Sequence, residues 1–303
     1  MFDKIINLVS LIFFCAAIWL IKKEIDYVGA DKLLEIILSA PKGALFSAIL
    51  LTILNYLILS GYDFWGLKYI QKPLPYQKIL PMSATSFAVS NLAGHIYASG
   101  GAVRYLFLKP LGFTKQNILM LIFFETLGIV LGLAVSFVLA VFLETVNGTL
   151  KSYHYLSFLY LSAFLIIMGF WFYFEEVVQK ERTFKIGKFL IKAPDKNLTL
   201  WQIWVGLFDF LSMFLVFYVF LNAFIPSSLV TVFVVFTVAT VLSYLSQVPA
   251  GIGVLESLFL ILYTHTDTEK GAILAAFALY RVIYFFIPFL VGCFIFYRLK
   301  KKN

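Results

Sequence analysis

The 303-residue chain is 62% hydrophobic, 18% aromatic and only 13% charged, with a mean hydropathy of +0.94. Soluble domains carry roughly 25% charged residues, so the composition excludes one and describes a polytopic membrane protein. The net charge of +8 lies in short loops and the C-terminal tail. There it sets topology and attracts anionic headgroups, and no nucleic-acid partner is expected.

The apolar runs are too long for β-barrel strands of about ten residues, so the expected fold is all-α. The first run, about residues 5–21, has no small-residue cleavage site before Lys22-Lys23 and reads as a retained span. Residues 1–43 hold this span and an amphipathic stretch, Ala30 to Ser39, that suits the interface. Residues 44–143 form a first unit. It has a span at about Ala44 to Ser60, a membrane-face loop carrying Asp63, Trp65 and Lys68, and the interrupted region Met82 to Gly112. A clean span, about Ile118 to Phe142, follows with Glu125 inside it. Residues 144–200 contribute a span, Leu156 to Phe174, and a basic loop. Lys185, Lys188 and Lys192 share one helical face there, which predicts a surface-lying helix. Residues 201–303 form a second unit: a span at about Trp201 to Asn222 containing Asp209, an interrupted apolar region from Leu229, and a last span, Ala272 to Tyr297, containing Arg281 and Pro288. The total is about six full spans plus two broken or re-entrant helix pairs.

The second interruption, Ser246 to Glu256, reads SQVPAGIGVLE. Pro249 removes a backbone donor, and Gly251 and Gly253 relax the chain, so a helix breaks here. Broken backbone at membrane depth is tolerated only inside protein or beside a wet cavity, which makes the break a candidate functional site. The first interruption carries Gly100, Gly101 and then Arg104. In both, a charge lies three residues after a glycine, and the following span carries the opposite charge: Glu125 after Arg104, Arg281 after Glu256. Basic loops placed in the cytoplasm make the two broken pairs enter from opposite faces, an inverted-topology internal repeat with the C-terminus cytoplasmic. The four charges should pair, within halves or across them, and the sequence leaves both pairings open. Arg104, beside a basic loop, equally suits a snorkelling interfacial arginine. Glu125 and Arg281 equally suit a structural ion pair. Tyr284 lies one turn from Arg281 and suits either a phosphate hydrogen bond or plain aromatic packing. Asn91 and His95 share a helical face, and Asp209 could be a proton or ion site or simply sit hydrated near a helix end. Pro288 is expected to kink the last span.

Cys15 and Cys293 both fall in apolar runs, so neither a disulfide framework nor a cysteine metal site is expected. There is no H-E-x-x-H, no G-x-S-x-G and no P-loop. No catalytic residue, metal or cofactor is expected, and the chain reads as a non-enzyme.

SQVPAGIGVLE, with ALYRVIYFFIPFLVG (Ala278 to Gly292), resembles the lysylphosphatidylglycerol synthase transmembrane-region family, a flippase-like domain found fused to aminoacyl-phosphatidylglycerol synthases and alone. ASGGAVRYLFLKPLGF and the Glu125 span fit the same pattern. The resemblance implies lipid transport, moving a phospholipid with an aminoacylated or other anionic headgroup between leaflets of a bacterial or archaeal cytoplasmic membrane. Arg104, Glu125, Glu256, Arg281 and Tyr284 are the candidate substrate-binding residues. Gly100, Gly101, Pro249, Gly251, Gly253 and Pro288 are the candidate break and hinge positions. The last span runs almost to Asn303, so the fused synthase domain is expected to be absent and the headgroup stays open. A homo-oligomer and a separate lipid-modifying enzyme are further partners that fit. The alternatives are a secondary transporter of a small soluble substrate, or a non-catalytic membrane partner of a lipid-modifying enzyme.

Overall fold

A computed structural model describes residues 22, 29–93, 99–148, 153–186, 189–263 and 267–302. The expected first span, His95 and Lys188 lie outside the described residues. The described chain is helical apart from one small hairpin. In order it runs α1 (Ala30–Leu38), α2 (Lys42–Tyr69), α3 (Tyr76–Ala93), α4 (Ser99–Leu108), α5 (Lys115–Asn147), α6 (Tyr153–Phe172), β1 (Thr183–Ile186), β2 (Phe189–Lys192), α7 (Lys196–Phe224), α8 (Leu229–Leu245), α9 (Val254–Tyr263), α10 (Asp267–Tyr280) and α11 (Ile287–Lys302). A π-helical turn, Arg281–Phe286, joins α10 to α11, and another, Tyr173–Val178, ends α6.

Five stretches among the described residues are long and apolar enough to cross a membrane: Lys42–Tyr69, Lys115–Asn147, Leu156–Val178, Lys196–Phe224 and Glu269–Arg298. At about 1.5 Å per residue each spans the roughly 30 Å hydrocarbon layer. Leu229–Leu245 and Val254–Tyr263 are apolar but shorter. Helix starts follow local chemistry. Thr114 caps α5 in a reciprocal capping box with Asn117, and Asp195 accepts the Leu198 N–H (2.9 Å) to cap α7. A long span, two shorter helices and a second long span occur in that order twice among the described residues, as α2, α3 and α4, α5 and as α7, α8 and α9, α10–α11.

Two local expectations are corrected. Asp63, Trp65 and Lys68 are not in a loop; they continue α2 to Tyr69. The apolar run resumes after Asp63, and Trp65 stacks on Trp201 of α7 with ring centroids 4.5 Å apart. The basic loop is not a surface-lying helix but an antiparallel hairpin, Thr183 opposite Lys192 and Phe184 opposite Ile191. It includes the β-branched and aromatic residues Thr183, Phe184, Ile186, Phe189 and Ile191, and its second strand, continued to Ala193, alternates in facing: Ile191 and Ala193 are buried while Leu190 and Lys192 are exposed. Tyr69 donates its hydroxyl to the Lys192 carbonyl, tying the hairpin to the end of α2. On this exposed surface Lys192 also bonds Glu181 and holds that carboxyl below its usual range.

The interior is packed through two devices. Phe217 of α7 sits among Phe236, Phe259 and Phe277, at centroid distances of 5.1, 5.0 and 4.2 Å, joining α7 to α8, α9 and α10. Nearer α2, α5 crosses α7 at Gly128, Gly132 and Gly206. A Cβ on Gly132 would lie 2.6 Å from the Gly206 carbonyl oxygen, and one on Gly206 would lie 2.8 Å from the Gly132 Cα. Gly128-Ile-Val-Leu-Gly132 is a G-x-x-x-G sequence, which lets helix backbones approach closely where lipid supplies no hydrophobic drive. α6, by contrast, presents Phe158, Leu161, Phe164, Leu165 and Trp171 outward, as a lipid-facing span does.

Candidate functional site

The break after α8 is strained in a specific way. Gln247 and Ala250 take positive φ (58° and 53°), as do Gly251 (60°) and Gly253 (83°). A left-handed non-glycine residue costs on the order of 1–3 kcal/mol and persists only where its surroundings hold it. Local bonds such as Gly251 N–H to the Val248 carbonyl shape the turn, and Glu256 and Arg281 hold its Ala250–Gly253 part from outside. The Gly253 N–H donates to Glu256 Oε2 (2.9 Å), half of a capping box at the start of α9. Arg281 donates through Nε to Glu256 Oε1 (2.8 Å) and through Nη1 to the Ala250 carbonyl (2.7 Å). The arginine thus clamps both the acid and the strained backbone. It projects from the π-helical turn, a local widening that suits Pro288, whose ring and missing N–H rule out a regular bond back to the preceding turn. The positive φ of Gly251 favours glycine there, and a Cβ would also require the Ser243 hydroxyl to turn away.

The first half is built differently. Arg104 is fully buried and forms a two-bond fork on Asp63, Nε to Oδ1 (2.8 Å) and Nη2 to Oδ2 (2.9 Å). Nη2 also touches Glu125 Oε1, and the guanidinium lies 4.8 Å from the Phe87 ring centre. Gly100 and Gly101 fall in the first turn of α4, not in an unwound segment, and neither has a positive φ. They serve packing: a Cβ on Gly100 would sit 3.0 Å from Arg104 Nη1, and one on Gly101 would sit 2.6 Å from Ile122 Cδ1.

The charges therefore pair within halves, a choice the sequence left open. Arg104 is no snorkelling surface arginine. Asp63, its principal partner, was missed because a lone acid at the end of an apolar run looks like a loop marker. The sequence did carry a signal: Phe64, Trp65, Gly66 and Leu67 continue the apolar run beyond it.

A cavity of about 580 Å³ lies between α2, α3, α5, α7, α8 and the broken turn. Most of its wall is apolar, including Leu59, Phe87 and Leu133; Arg281 and Asp209 are the charged residues on it. Arg104 and Glu125 are sealed away from solvent, and Glu256 lies behind Arg281, 5% exposed. Tyr284 also lines the cavity, but its hydroxyl donates to Asn55 Oδ1 (2.9 Å) rather than orienting Arg281. Among the described residues no group of His, Cys, Asp or Glu is arranged to hold a metal.

The chain matches the family described as "Lysylphosphatidylglycerol synthase TM region" over residues 7–292. The chain belongs to this family. It is 29% identical over 279 residues to the uncharacterized protein slr0712 of Synechocystis, covering 91% of this chain and 85% of the relative. It is 26% identical over 290 residues to the inner membrane protein YbhN of Escherichia coli, covering 94% and 89%. It is 26% identical over 276 residues to the phosphatidylglycerol lysyltransferase of Bacillus subtilis, covering 90% of this chain and 32% of that enzyme. This lysylphosphatidylglycerol synthase TM-region protein is thus a multi-pass membrane protein related to the membrane region of a lipid-modifying enzyme. The strained break, the Glu256–Arg281 pair and the cavity beside them all lie within the matched residues.

Proposed function

We propose that the protein moves a phospholipid with an anionic headgroup between the leaflets of a bacterial or archaeal cytoplasmic membrane. The observation that carries this reading is Arg281, presented at a backbone break to a largely apolar cavity inside a membrane protein. A phosphate needs forked, charged donors, which a guanidinium supplies, and glycerol and acyl chains need apolar walls. Glu256 holds Arg281 when the cavity is empty and yields it to the headgroup. Arg104, sealed by Asp63 and Glu125, is a structural ion cluster and not a second phosphate site. The protein makes and breaks no bond; a separate lipid-modifying enzyme is the partner that would supply a modified lipid.

The test is reconstitution into vesicles with fluorescent phosphatidylglycerol, the outer leaflet being quenched chemically. Losing one charge-assisted hydrogen bond removes roughly 1.5–3 kcal/mol, so Arg281→Ala and Glu256→Gln are expected to slow leaflet exchange about tenfold or more. Folded variants exchanging lipid at the wild-type rate would overturn the site. Orientation has its own measurement. The basic hairpin is expected in the cytoplasm and the end of α5 outside. In a background lacking Cys15 and Cys293, Lys185→Cys and Asn147→Cys should label from opposite sides of the membrane. Labelling from the same side would refute the topology.

A further inference from the structure

Asp209 is a second charged residue on the cavity, and neither the clamp nor the ion cluster uses it. It lies in the middle of α7, within a membrane-spanning stretch. Its carboxylate accepts from Asn55 Nδ2 on Oδ1 (2.9 Å) and from the Tyr62 hydroxyl on Oδ2 (3.2 Å), both from α2. No lysine or arginine among the described residues pairs with it. The other titratable groups facing it are Tyr56 of α2, Tyr244 of α8, Tyr280 at the end of α10 and Tyr284 within the π-helical turn. Phenols ordinarily titrate near pH 10, so these are neutral under working conditions. Arg281, on the same cavity, is already balanced by Glu256. Asp209 is therefore a carboxylate without a cationic partner on the wall of the same largely apolar cavity that Arg281 lines.

We infer that Asp209 is a proton-binding site that takes up a proton when an anionic headgroup enters the cavity. This rests on the reading that the cavity accepts such a lipid. A phosphate entering beside an ionised Asp209 repels it, and the repulsion is removed when the carboxylate gains one proton from water. By linkage, the lipid tightens the proton and the proton tightens the lipid. One monoanionic headgroup and one proton then move together with no net charge. The donor set selects a proton over a metal cation. Asn55 and Tyr62 turn N–H and O–H groups toward the carboxylate, whereas a cation would need oxygen acceptors there.

The same bonds connect this site to the clamp. Asn55 donates to Asp209 and to Ser212 Oγ (2.8 Å), and accepts from Tyr284, which follows Arg281 in the π-helical turn. A protonated Asp209 keeps one acceptor oxygen and turns the other into an O–H donor. The bonds from α2 to α7 and to the π-helical turn must then rearrange together.

The experiment adds short-chain phosphatidylglycerol to the purified full chain in weakly buffered detergent at neutral pH, with a pH-indicator dye present. The lipid phosphate is already ionised at this pH and cannot absorb the proton itself. Wild-type protein is expected to take up about one proton per lipid bound. Asp209→Asn keeps oxygen and shape and is expected to bind lipid with no uptake. Wild-type binding without uptake, or equal uptake by Asp209→Asn, would overturn the inference while leaving the lipid-transport reading intact. Absence of lipid binding by the wild-type protein would overturn both.

Discussion

Arg104→Ala protein is expected to lose roughly 3–5 kcal/mol of stability, the cost of removing one partner from a buried ionic cluster. Asp63 and Glu125 would be left facing each other with no exposure to water and no cation, both having been gathered around one guanidinium. Thermal unfolding in detergent, followed by size exclusion, is the measurement, and an unchanged midpoint would show that the cluster does not hold α2, α4 and α5 together. The cluster also predicts an asymmetry. Asp63 carries both bonds of the fork, and Glu125 is the second carboxylate on a single cation. Asp63→Ala should therefore approach the arginine variant in severity. Glu125→Gln leaves a neutral Asp63–Arg104 pair and should be the mildest of the three.

A side chain at Gly132 is expected to do comparable damage by a different route. The atoms in its way are backbone atoms of Gly206, which no rotamer change can move, so the α5 and α7 axes must separate. Forcing extra carbons into a filled contact costs typically 1–3 kcal/mol. Gly132→Ala should lower the unfolding midpoint, and Gly132→Leu should leave little folded protein. Gly43 and Gly169 supply the comparison, since a Cβ at either meets nothing within 4 Å. Gly43→Ala and Gly169→Ala are expected to be neutral. If all four behaved alike, the crossing would not depend on close backbone approach. The consequence reaches the cavity, because α5 and α7 carry Leu133 and Asp209 on its walls.

The sequence exposed the spans because lipid demands long apolar helices with every backbone group satisfied internally. It exposed the break at Ser246–Glu256 because proline and glycine mark positions where a helix cannot continue. It also showed that Arg104, Glu125, Glu256 and Arg281 each needed a partner, since a bare charge is costly at that depth. The hairpin was misread as a helix because lysines at positions 185, 188 and 192 fit a helical face, while the strand signal rested on only a few alternating residues. Asp63 and Asn55 were invisible as site residues for a related reason: a single polar residue in an apolar run has no pattern of its own.

The break itself shows the division. Its strain, its glycines and the acid that follows are local, and elementary backbone sterics make them readable from eleven letters. Which arginine that acid would hold was not local. Arg281 meets Glu256 and the Ala250 carbonyl only because α10 packs beside α9 and a π-helical turn aims the side chain at the break. The fork of Arg104 on Asp63 likewise requires α4 to come within side-chain reach of α2. Ion pairs act over a few ångströms, whereas these partners are separated by 25 and 41 residues in the chain. Helix packing, set by close contacts such as Gly132 on Gly206, had to bring them together before either pair existed. It also left Arg281 and Asp209 on the wall of one cavity.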